Sequence, residues 1–126
     1  EKLSLCYYAA SRLNKNKGIM TVSSGVEFEN FDKAYDEILV QLENMRQGKI
    51  EEWEMIAAKS ALTGVLRAYS DNPVSTEEYY LNNALTGKTM TVEEFAEKIN
   101  NVKVEEIIAV ANKIELDTVY RLEGNK

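Results

Sequence analysis

The sequence predicts an α+β fold: a small antiparallel sheet, made of an N-terminal hairpin plus a C-terminal strand, packed against an antiparallel helix pair and three shorter helices. Three observations predict it. Two alternating segments flank a polar turn near the start. Two long stretches repeat apolar residues at three-and-four spacing. Two Ser/Thr-x-x-Glu patterns announce further helices before a last alternating segment. The order β-β-α-α-α-α-α-β puts the helices on one face of a small sheet.

Residues 3–13 read as the first strand, with Leu3, Leu5 and Tyr7 on one face and Ser4, Cys6 and Tyr8 on the other. Both faces are partly apolar, so one should be packed and the other partly covered. Residues 14–18, Asn-Lys-Asn-Lys-Gly, form the turn, where Gly18 and the asparagines tolerate positive φ. Residues 19–25 return antiparallel. The first long helix is expected from Asn30 to Gln47, with Phe28, Phe31, Tyr35, Ile38, Leu39, Leu42 and Met45 on its buried stripe. Gly48 caps it. The second is expected from Glu51 to Ser70, with Trp53, Ile56, Ser60, Val65, Leu66 and Tyr69 inward and Trp53 anchoring the pair. The short connection makes the two helices antiparallel neighbours. Asn72-Pro73 closes the second, because the residue before proline avoids the helical region. Ser75-x-x-Glu78 should start a helix ending near Gly87, and Thr91-x-x-Glu94 another, carrying Val92, Phe95 and Ile99. A helix over Val104–Lys113 and a strand over Leu116–Leu122 complete the chain, the strand joining the hairpin.

A chain of 126 residues, 44% hydrophobic and 29% charged, fits one soluble globular domain over residues 1–126. Its apolar runs are too short to cross a bilayer. A net charge of −6 with scattered Lys and Arg argues against nucleic acid as a partner. Cys6 stands alone and reads as a small buried hydrophobe; a reducing, cytoplasmic setting fits.

Autonomous chemistry finds no support. There is no histidine, hence no Ser-His-Asp or Cys-His arrangement and no His-containing zinc site. No glycine-rich loop matches a phosphate cradle. Glu51, Glu52 and Glu54, then the pairs Glu77/Glu78, Glu93/Glu94 and Glu105/Glu106, are placed at helix N-termini, where the macrodipole accounts for them. Tyr7 and Tyr8 adjoin on a strand, so one packs inward while the other presents its hydroxyl. Tyr79 and Tyr80 read as packing residues.

The opening Glu1-Lys2-Leu3-Ser4-Leu5-Cys6-Tyr7-Tyr8, the hairpin after it and Phe28-Glu29-Asn30-Phe31 resemble the C-terminal half of the insulinase/pitrilysin zinc metallopeptidases, where R-E-K-x-x-L-x-Y leads into such a hairpin. The closing segments from Thr91 to Tyr120 extend the likeness over essentially the whole chain. The resemblance implies part of the non-zinc-binding half, or of an inactive partner subunit, since the zinc-binding H-x-x-E-H of the other half is absent. Zinc is then expected in a catalytic half elsewhere, with that half or a partner subunit, and a peptide substrate, as partners. Tyr7 matches the family tyrosine that contacts substrate; the matching Arg would stand just before Glu1. A phenol there can donate to a peptide carbonyl. The family half is longer, with strands and a helix expected upstream of Glu1, so exposed apolar surface and self-association of the fragment as a homodimer are expected. The alternative is an assembly module homologous to such a half but without protease activity.

Overall fold

A computed structural model of the protein describes residues 6–14, 17–69 and 71–124. Strands β1 (Tyr8–Asn14) and β2 (Ile19–Gly25) form an antiparallel hairpin, with Tyr8 opposite Gly25 at one end and Asn14 opposite Ile19 at the other. Gly18, at φ 63°, supplies the left-handed residue of the turn. Asn14 Oδ1 accepts from the Lys17 N–H at 3.2 Å. Strand β1 begins at Tyr8, and residues 3–5 of the expected strand lie outside the described residues. All of β1 and the first five residues of β2 are exposed. The expected packed face is therefore not found among the described residues.

The C-terminal strand is a correction. Among the described residues the sheet has two strands, and residues 114–124 pair with neither. Alternation assigns side chains to faces but supplies no ladder partner. Side-chain contacts hold this segment instead. The Arg121 guanidinium lies 4.7 Å from the Phe28 ring centre and 4.1 Å from that of Phe31, a cation–π arrangement, and pairs with Glu123. The α+β class stands, with one strand fewer.

The chain divides into two compact units, Glu1–Asn44 with Lys113–Lys126, and Met45–Asn112. The first holds the hairpin, a 3-10 turn at Phe28–Asn30 and most of α1 (Phe31–Arg46). Ala34 is the buried point of the α1 stripe, flanked by half-buried Phe31, Tyr35, Ile38, Leu39 and Leu42. Phe31 and Tyr35, one turn apart, stack with centres 6.3 Å apart. Phe28 and Met45 are exposed: Phe28 sits in the 3-10 turn, out of phase with the helix, and Met45 in the last turn.

The second unit is helical: α2 (Glu52–Tyr69), α3 (Pro73–Leu85), α4 (Val92–Asn101) and α5 (Val104–Ala111). Within it α2 packs chiefly on α4, and on α3; the expected pairing of α2 with α1 spans the two units. The inward side of α2 is Met55, Lys59, Thr63 and Leu66, so Trp53, 60% exposed, is not an anchor. It lies on roughly the opposite side of the helix from Met55 and Leu66. Buried Thr63 donates its hydroxyl to Lys59 O at 2.8 Å and so leaves no unmet polar group. Lys59 Nζ donates to Asn100 O at 2.8 Å, a cation at the C-terminal end of α4 where the helix dipole favours it.

Helix starts follow capping chemistry, with one correction. Thr91 and Glu94 form the expected capping box: Glu94 N–H donates to Thr91 Oγ1 at 3.1 Å, and Thr91 N–H to Glu94 Oε2 at 2.8 Å. The third helix does not start at Ser75. Asn72 caps it, its Oδ1 accepting from Val74 and Ser75 N–H groups at 3.0 and 3.3 Å. Pro73 occupies the first turn, where its missing N–H costs nothing. The Tyr79 hydroxyl then donates to Thr91 O at 3.0 Å and the Asn83 amide to Met90 O at 2.9 Å, tying α3 to the loop that enters α4.

Candidate functional site

Tyr7, the residue singled out from the sequence, lies immediately before β1 and is 75% exposed. It is pinned at two points. Its backbone N–H donates to Gly25 O at 2.7 Å, extending the hairpin ladder by one bond. Its hydroxyl donates to the Glu27 carboxylate. Glu27 is extended backbone (φ −63°, ψ 147°) and caps the 3-10 turn without a side-chain capping bond, which leaves its carboxylate for the phenol. The bond to Glu27, and then the nearby negative charge, push the Tyr7 phenol above its ordinary range. Next to it, the Tyr8 ring covers Gly25: a Cβ built on Gly25 would stand 2.5 Å from Tyr8 Cε1. A side chain at position 25 would displace the ring and disturb the strand end that holds Tyr7.

Glu27 was not evident from the sequence. The signal was present in the register: with Tyr8 opposite Gly25, residue 7 faces the first residues beyond β2, and Glu27 is the first acidic one. Cys6 is a free, exposed thiol rather than a buried hydrophobe.

The acidic pairs do what helix starts require. Glu54 accepts from Glu51 N–H at 3.0 Å and Glu106 from Lys103 N–H at 2.9 Å, as Glu94 does from Thr91. Glu77 and Glu78 are the exception. Because α3 begins at Pro73, they lie inside it rather than in its first turn. An open depression of about 560 Å³ beside α4, lined by Gly87, Lys88, Met90, Glu94, Lys98 and Asn101, is neither closed nor apolar. No helix among the described residues is long and apolar enough to cross a membrane.

The first half of the chain, residues 1–62, matches the family model described as the peptidase M16 inactive domain. A Bacillus subtilis (strain 168) protein named "Probable inactive metalloprotease YmfF" is 35% identical over 126 residues, all of this chain and 30% of that protein. A Rickettsia felis protein named as an uncharacterized zinc protease is 33% identical over 117 residues, 90% of this chain and 28% of its own length. The crystal structure of a conserved protein from Enterococcus faecalis V583 superposes with a TM-score of 0.79 at 36% identity, over 90% of this chain and 27% of that one. The chain thus spans less than a third of each of these relatives. The described residues do not fit the zinc that such names imply: no three His, Cys, Asp or Glu side chains gather where they could hold a metal ion. By the match over residues 1–62, and by relatives alike over the remainder, the chain is similar to the inactive domain of the M16, insulinase/pitrilysin-type, metallopeptidases.

Proposed function

We propose that the chain is the non-catalytic part of a zinc-dependent endopeptidase, supplying chamber wall and a substrate contact at Tyr7 to a zinc-binding half elsewhere. The carrying observation is that the inactive-domain match falls on residues 1–62, the stretch that holds the exposed Tyr7 and the Glu27 carboxylate bonded to it. A chain without histidine or a metal-binding cluster among its described residues contributes by shape and polar contact, while water activation by zinc belongs to the partner half. Catalytic half and peptide are the partners on this reading.

The test pairs the chain with the zinc-binding half, as one polypeptide or as two subunits, and follows peptide cleavage. Tyr7→Phe should lower kcat/KM by about tenfold or more, the order seen when a hydrogen-bonding group that contacts substrate is removed. The unfolding midpoint should barely move. Equal loss of activity and stability would make Tyr7 a packing residue. Stoichiometric zinc on this chain alone, with chelator-sensitive cleavage, would overturn the proposal.

A second reading has one specific observation behind it. The B. subtilis relative, alike over all of this chain, is itself named an inactive metalloprotease. The chain would then serve assembly rather than proteolysis, and no zinc-binding half would restore cleavage.

A further inference from the structure

The hairpin has two unlike faces, and on the reading above, in which a peptide passes over Tyr7, the peptide meets only one of them. Side chains alternate along a strand, and residues paired across the ladder share a face. The Tyr7 N–H bond to Gly25 O extends the ladder, so Tyr7 shares a face with Ala9, Ser11 and Leu13, and with Ser24, Val22 and Met20 opposite them. None of these side chains is charged. Ser24 turns its hydroxyl back to donate to Tyr8 O at 2.9 Å. Leu13 is 63% exposed, and Met20 and Val22 are each 41% exposed. The other face carries Arg12, opposite Thr21.

The Tyr7 face is also graded in size. Beside Tyr7 comes the small pair Ala9 and Ser24, then Ser11 with Val22, then Leu13 with Met20. It is therefore low next to the Tyr7 ring and rises toward the turn. Side chains on one face of an extended peptide recur every ~7 Å, the same period as the strand beneath. A peptide that meets the Tyr7 hydroxyl and runs along β1 sets one side chain over Ala9 and Ser24 and the next over Ser11 and Val22. The charged residues of the hairpin and of the segment after it lie elsewhere among those described: Arg12 on the opposite face, Lys17 in the turn, Glu29 in the 3-10 turn, Asp32 and Lys33 on α1. Glu27, just beyond β2, borders the Tyr7 end and disfavours an acidic side chain there. A charged or amide side chain laid on this face loses water and gains no partner, whereas an apolar one gains by being covered.

We propose that the Tyr7 face of the hairpin receives an apolar side chain of the bound peptide over Ala9, Ser24 and Val22. It thereby selects peptides that are apolar two to four residues from the group Tyr7 contacts. The face is open and covers only part of such a side chain, so the preference expected is about three- to tenfold in affinity.

The experiment uses the full chain and two peptides, acetyl-Ala-Ala-Leu-Ala-Ala-amide and the same peptide with asparagine for leucine. Asparagine keeps nearly the shape of leucine and loses its apolar character. NMR follows the Val22 and Leu13 methyl groups and the Tyr7 ring, assigned by their loss in Val22→Thr, Leu13→Ala and Tyr7→Phe. The leucine peptide should shift all three, with a Kd about three- to tenfold below that of the asparagine peptide. Val22→Thr should narrow that ratio, and Thr21→Val, on the other face, should leave it unchanged. Both variants keep a β-branched side chain and so the strand preference. Equal affinities with the Tyr7 ring shifting in both titrations would remove the apolar receptor and leave the Tyr7 contact standing. A ratio altered by Thr21→Val but not by Val22→Thr would put recognition on the other face and overturn the assignment. Methyl groups that shift with chain concentration and not with peptide would give the face to a second copy and overturn it too. Resonances unmoved by either peptide would defeat both the receptor and the Tyr7 contact on which it rests.

Discussion

The two units of this chain are built differently. The helical unit holds most of the buried side chains among the described residues: Leu66 is 5% exposed and Ala111 2%, and Thr63 and Val92 are buried too. Its helix ends are tied by named bonds, Lys59 to Asn100, Arg46 to Ala111 and Tyr79 to Thr91. The hairpin unit has Ala34 as its buried residue among those described, and a hairpin exposed on both faces. A two-stranded hairpin is at best marginally stable in water. Yet most of the inactive-domain match falls on the hairpin unit, and so does the candidate site. Packing has gone into one unit and recognisable family character into the other. The candidate site is therefore held by a few specific bonds rather than by a core.

The largest expected effect tests the core side of that contrast. Leu66→Ala removes a buried side chain and should destabilise α2 and α4 by about 2–5 kcal/mol. Leu13→Ala, in the hairpin and 63% exposed, should cost no more than about 0.5 kcal/mol. Hydrogen exchange reads both, with protection lost across the helical unit in the first variant and little altered in the second. A Leu13→Ala cost comparable to that of Leu66→Ala would break the comparison, since it would show the hairpin covered in solution.

A smaller effect separates backbone strain from packing. Gly18 and Gly48 share a left-handed backbone, at φ 63° and 70°. A Cβ at Gly18 meets open space, whereas one at Gly48 would stand 2.7 Å from Ile108 Cδ1. Gly18→Ala should therefore cost only the conformational penalty, roughly 1 kcal/mol. Gly48→Ala should cost that plus the displacement of Ile108, on the order of 2 kcal/mol. Denaturant midpoints of the two variants compare them directly. Equal costs would mean that the loop at Gly48 is as open as the hairpin turn.

What the sequence made legible follows the same division. Local signals were reliable where one residue's chemistry decides the outcome. Thr91 with Glu94 gave its capping box, Gly18 and Gly48 their left-handed turns, and the alternation of residues 19–25 its strand. Signals that depend on a partner were not. The alternation over Leu116–Leu122 is real, but no strand edge receives it, and Arg121 holds the segment through Phe28 and Phe31. The large side chains of α2, Trp53 and Ile56, pointed to a buried face, but the helix turns them outward and buries Thr63 and Leu66 instead. Asn72 was legible as the end of α2 but not as the cap of α3, a second role that emerges only once Pro73 is seen in the first helical turn. At the candidate site, Tyr7 is singled out by its place in the opening segment alone. Glu27 needed the hairpin register to bring it within reach.

The smallest expected effect concerns that pair alone. Folding raises the Tyr7 phenol above its ordinary value of about 10, because Glu27 accepts its proton in a hydrogen bond and repels the phenolate. The folded state then holds this proton more tightly than the unfolded chain. Stability contributed by the pair is complete below the unfolded value and is lost as pH rises through the higher folded value. Near-ultraviolet tyrosinate absorbance, taken as the difference between the native chain and Tyr7→Phe, should show Tyr7 ionising later than an ordinary tyrosine. Glu27→Gln keeps an acceptor but removes the charge, and should bring that ionisation back toward the ordinary range. A Tyr7 titration at the ordinary value would mean that the hydroxyl is free of Glu27 in solution, and the hairpin unit would then lose the one side-chain bond that defines its candidate site.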